Sequence, residues 1–172
     1  LKILSKNVVQ TNHGEAVLIN KNFTKGLSLR GYNSDDFIKL EIFKNKNFTN
    51  KNYVFSENKI IIGQELSYDL NLKIGDKILL MSPAGEETIV GNLPKQEYFE
   101  ISYIFASGLV EFDQNVAFLN INSLENFMNL NNSERNIEIY LNNPINIDKA
   151  KEEFQKTFYN NFIYTWADLN KS

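Results

Sequence analysis

The stretch IIIGQELSYDLNLKIGDKILLMSPAGEETIVGNLPKQEYFEISYIFASGLVEFDQNVAF, residues 60–118, decides the fold. At its start Lys59–Ile62 is a short β-branched run, the signature of a buried strand. Gly63–Asn71 reads as a helix, because Leu66 and Leu70 stand four apart and share one face. Leu72 and Ile74 lead out of it into a Gly75-Asp76 turn, where glycine tolerates a positive φ. Two apolar runs follow, Lys77–Met81 and Tyr98–Phe105, and they are suited to pair. In the second, Ile101, Tyr103 and Phe105 alternate with Glu100, Ser102 and Ile104, the period of a strand. About a dozen residues separate the two runs, where hairpin loops hold about two to five.

That arm is Pro83-Ala84-Gly85-Glu86-Glu87-Thr88-Ile89-Val90-Gly91-Asn92-Leu93-Pro94. Neither proline can donate a ladder hydrogen bond, so each is expected to stop regular pairing where its strand ends. Ala84-Gly85 and Gly91-Asn92 allow turns, which puts Ile89 and Val90 near an exposed apolar tip. Apolar side chains on a stiff hairpin suit insertion into a partner's groove or addition to its sheet edge. From the residues alone a plain surface loop fits equally well.

Working outward, Ala16–Asn20 and Leu27–Tyr32 read as strands joined by a Lys-Asn-rich turn. Asp36–Asn58 is irregular, with Phe43, Phe48, Tyr53 and Phe55 available to anchor a long loop. Beyond residue 113, Val116–Asn120 reads as a strand. Ser123 reads as the N-cap of a helix over Leu124–Leu130, and Asn136–Leu141 alternates as a strand. Asp148 is expected to cap an amphipathic helix carrying Ala150, Phe154 and Phe158. Phe162–Thr165 reads as a final strand. The sum is an α+β chain with a strand-rich middle and a β-α-β end.

The 172 residues are 42% hydrophobic and 13% aromatic, enough for a real core in one compact domain or two small subdomains. A net charge of −3 argues against a nucleic-acid footprint, which needs a basic face. Cysteine is absent, which excludes disulfides, thiol nucleophiles and zinc-thiolate sites. No apolar run approaches the roughly 20 residues of a membrane span. The opening Leu1–Lys6 lacks the features of a signal peptide and begins mid-pattern, as a piece of a longer protein would.

Chemistry is sparse. His13, the single histidine, sits in a Thr-Asn-His-Gly stretch read as an exposed turn. Glu111 and Asp113 would face the same way on a strand, as a carboxylate pair or part of a cation site; a solvated turn competes with that reading. Glu86-Glu87 carries the same ambiguity. No glycine-rich phosphate loop is present.

The order and spacing of several motifs resemble a known family. Ile60-Ile61-Ile62-Gly63-Gln64-Glu65-Leu66 with Leu70, Leu72-Lys73-Ile74-Gly75-Asp76-Lys77-Ile78 is similar to the MacB-like periplasmic core domain. Met81-Ser82-Pro83, Gly91-Asn92-Leu93-Pro94-Lys95-Gln96, Ile104-Phe105 and Ser107-Gly108-Leu109 with Glu111-Phe112-Asp113 narrow the resemblance to the LolC/LolE-type lipoprotein-releasing permeases. Gly31, after Leu27–Arg30, and Tyr164-Thr165-Trp166 with Asp168 and Asn170 also fit. The similarity spans residues 14 to 170.

The resemblance implies the periplasmic face of the bacterial inner membrane, a cytoplasmic ATPase subunit and a sister permease. It implies lipoprotein substrates, a periplasmic carrier, LolA, and no cofactor or enzymatic activity in this domain. It implies a Porter-like α/β subdomain over 1–35 and 135–172, incomplete at its N-terminus. A strand-rich Sabre-like subdomain, 36–134, would be inserted in it and carry a carrier-binding hook at 83–94 with Ile89 and Val90 at the tip. A polar pad beside the hook would map to Leu79, Gln96 and Glu97; Leu79 and Glu97 stand where the family carries basic residues. The alternatives are a MacB-like mechanotransmission or channel domain that grips no carrier, and an enzyme using Glu111 and Asp113.

Overall fold

The computed structural model describes residues 5–21, 23–44, 46, 48, 50–88 and 91–169. The strands are β1 (Ser5–Asn20), β2 (Phe23–Tyr32), β3 (Lys59–Gly63), β4 (Lys77–Thr88), β5 (Gly91–Phe105), β6 (Val116–Asn120) and β7 (Asn136–Leu141). The helices are α1 (Ser34–Phe37), α2 (Lys51–Val54), α3 (Gln64–Leu70), α4 (Val110–Asn115), α5 (Ile121–Met128), α6 (Ile147–Thr157) and α7 (Trp166–Leu169). The chain divides into two compact units, Val9–Ile137 and a smaller one of Leu1–Val8 with Glu138–Ser172. The first hairpin, grouped by the sequence reading with residues 135–172, lies in the larger unit from Val9 onward.

The strands form a seven-stranded sheet in the order β2-β6-β3-β5-β4-β1-β7, and β1 also pairs with β2. That extra pairing closes six of them into a ring. Along β1, the register runs from Thr11↔Tyr32 to Asn20↔Phe23 on β2, and from Val17↔Met81 to Ile19↔Leu79 on β4. β2–β6 and β3–β5 are parallel; β3–β6 and β4–β5 are antiparallel.

Closure follows from the period of the apolar residues. Strand side chains alternate between faces, and each ring strand sends two inward: Ala16 and Leu18, Leu27 and Leu29, Ile60 and Ile62, Ile78 and Leu80, Phe99 and Ile101, Ala117 and Leu119. Leu66 from α3 and Leu124, Phe127 and Met128 from α5 join this core. Each Leu, Ile, Phe or Met among them contributes about 1.5–3 kcal/mol on leaving water.

An aromatic cluster covers part of the outer face. Phe37 stacks on Phe43 at 3.9 Å and meets Phe55 at 4.2 Å; Phe118 on β6 lies 5.3 Å from Phe43 and 5.5 Å from Phe37. These rings hold α1, α2 and the turn around Phe43 against the sheet. Ser102 Oγ donates to the carbonyls of Val54 (2.9 Å) and Ile60 (3.2 Å), and Asn120 Nδ2 donates to that of Phe55 (3.1 Å). Of the four aromatics that the sequence offers as anchors, Phe43 and Phe55 are buried and Phe48 joins their cluster, whereas Tyr53 remains exposed and donates its hydroxyl to Glu100.

Several local expectations change. His13 lies within β1, opposite Arg30, rather than in a turn. The helix before residue 130 begins at Ile121 with Asn120 as its cap, so Ser123 is a buried interior residue. Asn146, rather than Asp148, precedes α6; Asp148 falls in the first turn, where a carboxylate favours the helix dipole. Residues 162–165 form no strand. Phe162 and Tyr164 are exposed, and such a run becomes a strand only by pairing.

Candidate docking arm

The arm grows out of two barrel strands. β4 and β5 pair from Lys77↔Glu100 through Ser82↔Lys95, lose register, and pair again at Glu86↔Leu93, Glu87↔Asn92 and Thr88↔Gly91. Pro83, Ala84 and Gly85 therefore stand opposite Pro94 alone. The prolines interrupt the ladder instead of ending the strands, because a missing N–H costs one rung and pairing resumes beyond it. Gly85 makes the crossing possible: a Cβ there would collide with the Leu93 carbonyl. Gly91 starts the return strand at φ +114°, a conformation that glycine alone adopts without strain.

Met81 is the last β4 residue opposite β1 among the described pairs. Past that point the arm is a two-stranded ribbon. Pro83, Leu93 and Pro94 are exposed on it, Leu93 at 57%. Ala84, Glu86, Glu87, Thr88 and Asn92 belong to its strands. Ile89 and Val90, the expected apolar tip, lie outside the described residues.

The three pad positions do not share a face. The register Leu79↔Tyr98 and Met81↔Gln96 puts these four side chains on the outside of the barrel, with Gln96 Nε2 4.0 Å from Met81 Sδ. Glu97 pairs with the buried Leu80 and faces the other way, 3.8 Å from Lys95 Nζ. Lys95 in turn donates to the Asn126 carbonyl of α5 at 2.8 Å. Sequence reasoning did not single out Lys95 or the 63%-exposed Tyr98, although the alternation along β5 marks Tyr98 as outward.

The carboxylates near Gly108 do not form a pair. α4 replaces the expected turn, and helical positions two apart diverge. Glu111 is exposed, whereas Asp113 is buried and accepts from the Ser107 N–H at 3.0 and 3.1 Å and from its hydroxyl at 2.5 Å. Asp113 therefore holds the approach to α4. No group of three or more His, Asp or Glu side chains is placed to hold a metal among the described residues.

One charged cluster braces α5. Arg135 donates from Nε to Glu125 Oε1 (2.6 Å) and from a terminal nitrogen to Oε2 (2.7 Å), while Asn12 Nδ2 reaches Oε1 at 3.4 Å. The guanidinium, outweighing burial, holds the Glu125 carboxyl below the usual carboxylate range. No helix of the described residues is long and apolar enough to cross a membrane.

No family model matches the chain. Among curated proteins it is similar to the lipoprotein-releasing system transmembrane protein LolC. Against that of Haemophilus influenzae it is 32% identical over 100 residues, 57% of this chain and 25% of the relative. Against that of Xylella fastidiosa Temecula1 it is 28% identical over 74 residues, 43% and 18%. Against that of Neisseria meningitidis it is 24% identical over 134 residues, 77% and 32%. The chain thus spans a third or less of these relatives. In fold it is similar to the extracellular domain of the ABC-type transporter YknZ, with a TM-score of 0.52 at 14% identity, over 90% of this chain and 77% of that one. It is equally similar to the periplasmic region of MacB from Actinobacillus actinomycetemcomitans, with a TM-score of 0.52 at 11% identity, over 90% and 68%. The fold is that of the MacB-like periplasmic domains, and the sequence resembles the LolC/LolE type.

Proposed function

We propose that this chain is the periplasmic domain of an inner-membrane, lipoprotein-releasing ABC permease, and that its β4–β5 arm is a hook that docks the periplasmic carrier LolA. The observation that carries this reading is the ribbon itself, two strands running past the barrel wall with Pro83, Leu93 and Pro94 exposed, in a chain similar to LolC. An exposed ribbon offers backbone for sheet addition and apolar side chains for a groove. The hook comprises residues 83–94, with Ile89 and Val90 as the apolar tip.

Leu79, Gln96 and Glu97 form the pad, Leu79 and Gln96 on the outer face and Glu97 beside Lys95. The Porter-like part comprises residues 1–35 with 135–172, and the inserted Sabre-like part residues 36–134. ATP is hydrolysed by a cytoplasmic subunit, and lipoproteins and the sister permease meet portions of the protein beyond this domain. The domain acts by recruiting and orienting the carrier for transfer toward the outer membrane, without chemistry of its own.

Calorimetric titration with the carrier tests this. Val90→Asp, or deletion of residues 84–93, abolishes binding while the fold persists by circular dichroism; undiminished binding refutes the hook. The likeness to MacB keeps a second reading open, a mechanotransmission domain that grips no carrier. A folded wild-type domain that binds no carrier favours it.

A further inference from the structure

We infer that Lys95 is a positioning residue that fixes the direction in which the arm leaves the barrel. Ser82↔Lys95 is the last regular pair before the three-against-one irregularity. Ser82 is fully buried, whereas Pro83 and Pro94 are exposed. The root of the arm is therefore at this pair. Immediately beyond it two prolines remove ladder donors, and a two-stranded ribbon with a broken rung has little intrinsic stiffness. Something outside the ladder has to hold its angle.

Lys95 does so by clamping the root to α5. Its Nζ donates to the carbonyl of Asn126, which lies in the last turn of that helix. Carbonyls there lack intrahelical donors, and the helix end carries partial negative charge, so a lysine ammonium is the favoured partner. The Glu97 carboxylate, 3.8 Å away, adds a second attraction. The opposing jaw is rigid: Leu124 and Phe127 on α5 are fully buried, and Glu125 is held by two guanidinium nitrogens of Arg135. Glu97 thus acquires a role in the clamp.

The consequence for docking rests on the hook reading; the clamp itself does not. A preoriented arm loses less conformational freedom on binding than a swinging one. The test exploits the absence of cysteine. Nitroxide labels at Glu87→Cys on the arm and Lys73→Cys in the loop between α3 and β4 report the distance distribution between them by pulsed electron resonance.

The parent and Lys95→Arg give one narrow distribution. In Lys95→Met its width roughly doubles as further orientations become populated. The barrel's thermal midpoint moves by less than about 4 °C, as loss of one partly exposed contact implies. An unchanged width in Lys95→Met overturns the inference whether or not the carrier binds. Carrier titration of the same proteins separates the two claims. Absence of binding to the parent removes the docking reading and leaves the distance result in force. With docking intact, Lys95→Met weakens binding about three- to ten-fold and Lys95→Arg restores it.

Discussion

Asp113 illustrates how burial decides what a carboxylate is for. It lies at 3% exposure and accepts from the Ser107 backbone and hydroxyl, so its visible role is to hold the approach to α4. Asp113→Ala strands the Ser107 N–H in a partly buried site and costs about 2–3 kcal/mol, read as a lowered urea midpoint; Glu111→Gln, on the exposed side, leaves that midpoint unchanged. Glu125 makes a second residue-scale case. Its folded-state pKa is depressed by Arg135, so its contribution is fully present above the ordinary glutamate value of about 4.3 and is lost as pH falls through the lower folded value. Arg135→Gln should therefore cost about 2 kcal/mol at neutral pH, and the gap from the parent should narrow in urea titrations below about pH 4. A gap independent of pH would contradict the assignment.

The elements differ in how much of their fate is local. Ile60–Ile62 and the Leu66/Leu70 pair sit in the elements their spacing predicts, because β-branching and i,i+4 apolar spacing are properties of the segment itself. The beginning of β1 is different: residues 5–15 are mostly polar, and only pairing, Thr11 with Tyr32 and His13 with Arg30, makes them a strand. Phe162–Thr165 shows the converse, an apolar run without a partner strand. α4 was hidden because six residues are too few to display a helical period. For the arm, its prolines and glycines were legible, but the resumed ladder was not, since two prolines read alone as terminators. Two predictions belong here. Phe37→Ala, at the centre of the outer aromatic cluster, should cost about 3–5 kcal/mol and flatten the near-ultraviolet circular dichroism. Gly85→Ala should disturb amide resonances of residues 82–95 while leaving those of β3 and β6 in place, because the atoms nearest the added methyl are the Leu93 carbonyl and the Pro94 nitrogen.

At the scale of the whole molecule, stability is unevenly distributed. Every ring strand of the larger unit contributes two residues to a shared core, whereas only Ala150 and Phe154 are buried among the described side chains of Glu138–Ser172. Amide exchange tracks this difference, because a segment with few buried contacts opens locally while closed strands open only with the whole unit. Backbone amides of α6 should exchange at least about a hundredfold faster than those of β3 and β6, equivalent to about 2.7 kcal/mol between local and global opening. The excised segment 9–137 should likewise retain one cooperative urea transition, since its ring pairing and core lie within those residues. Uniform exchange across both units, or a fragment with native-like secondary structure but no cooperative transition, would show that the barrel depends on residues outside 9–137 for its packing.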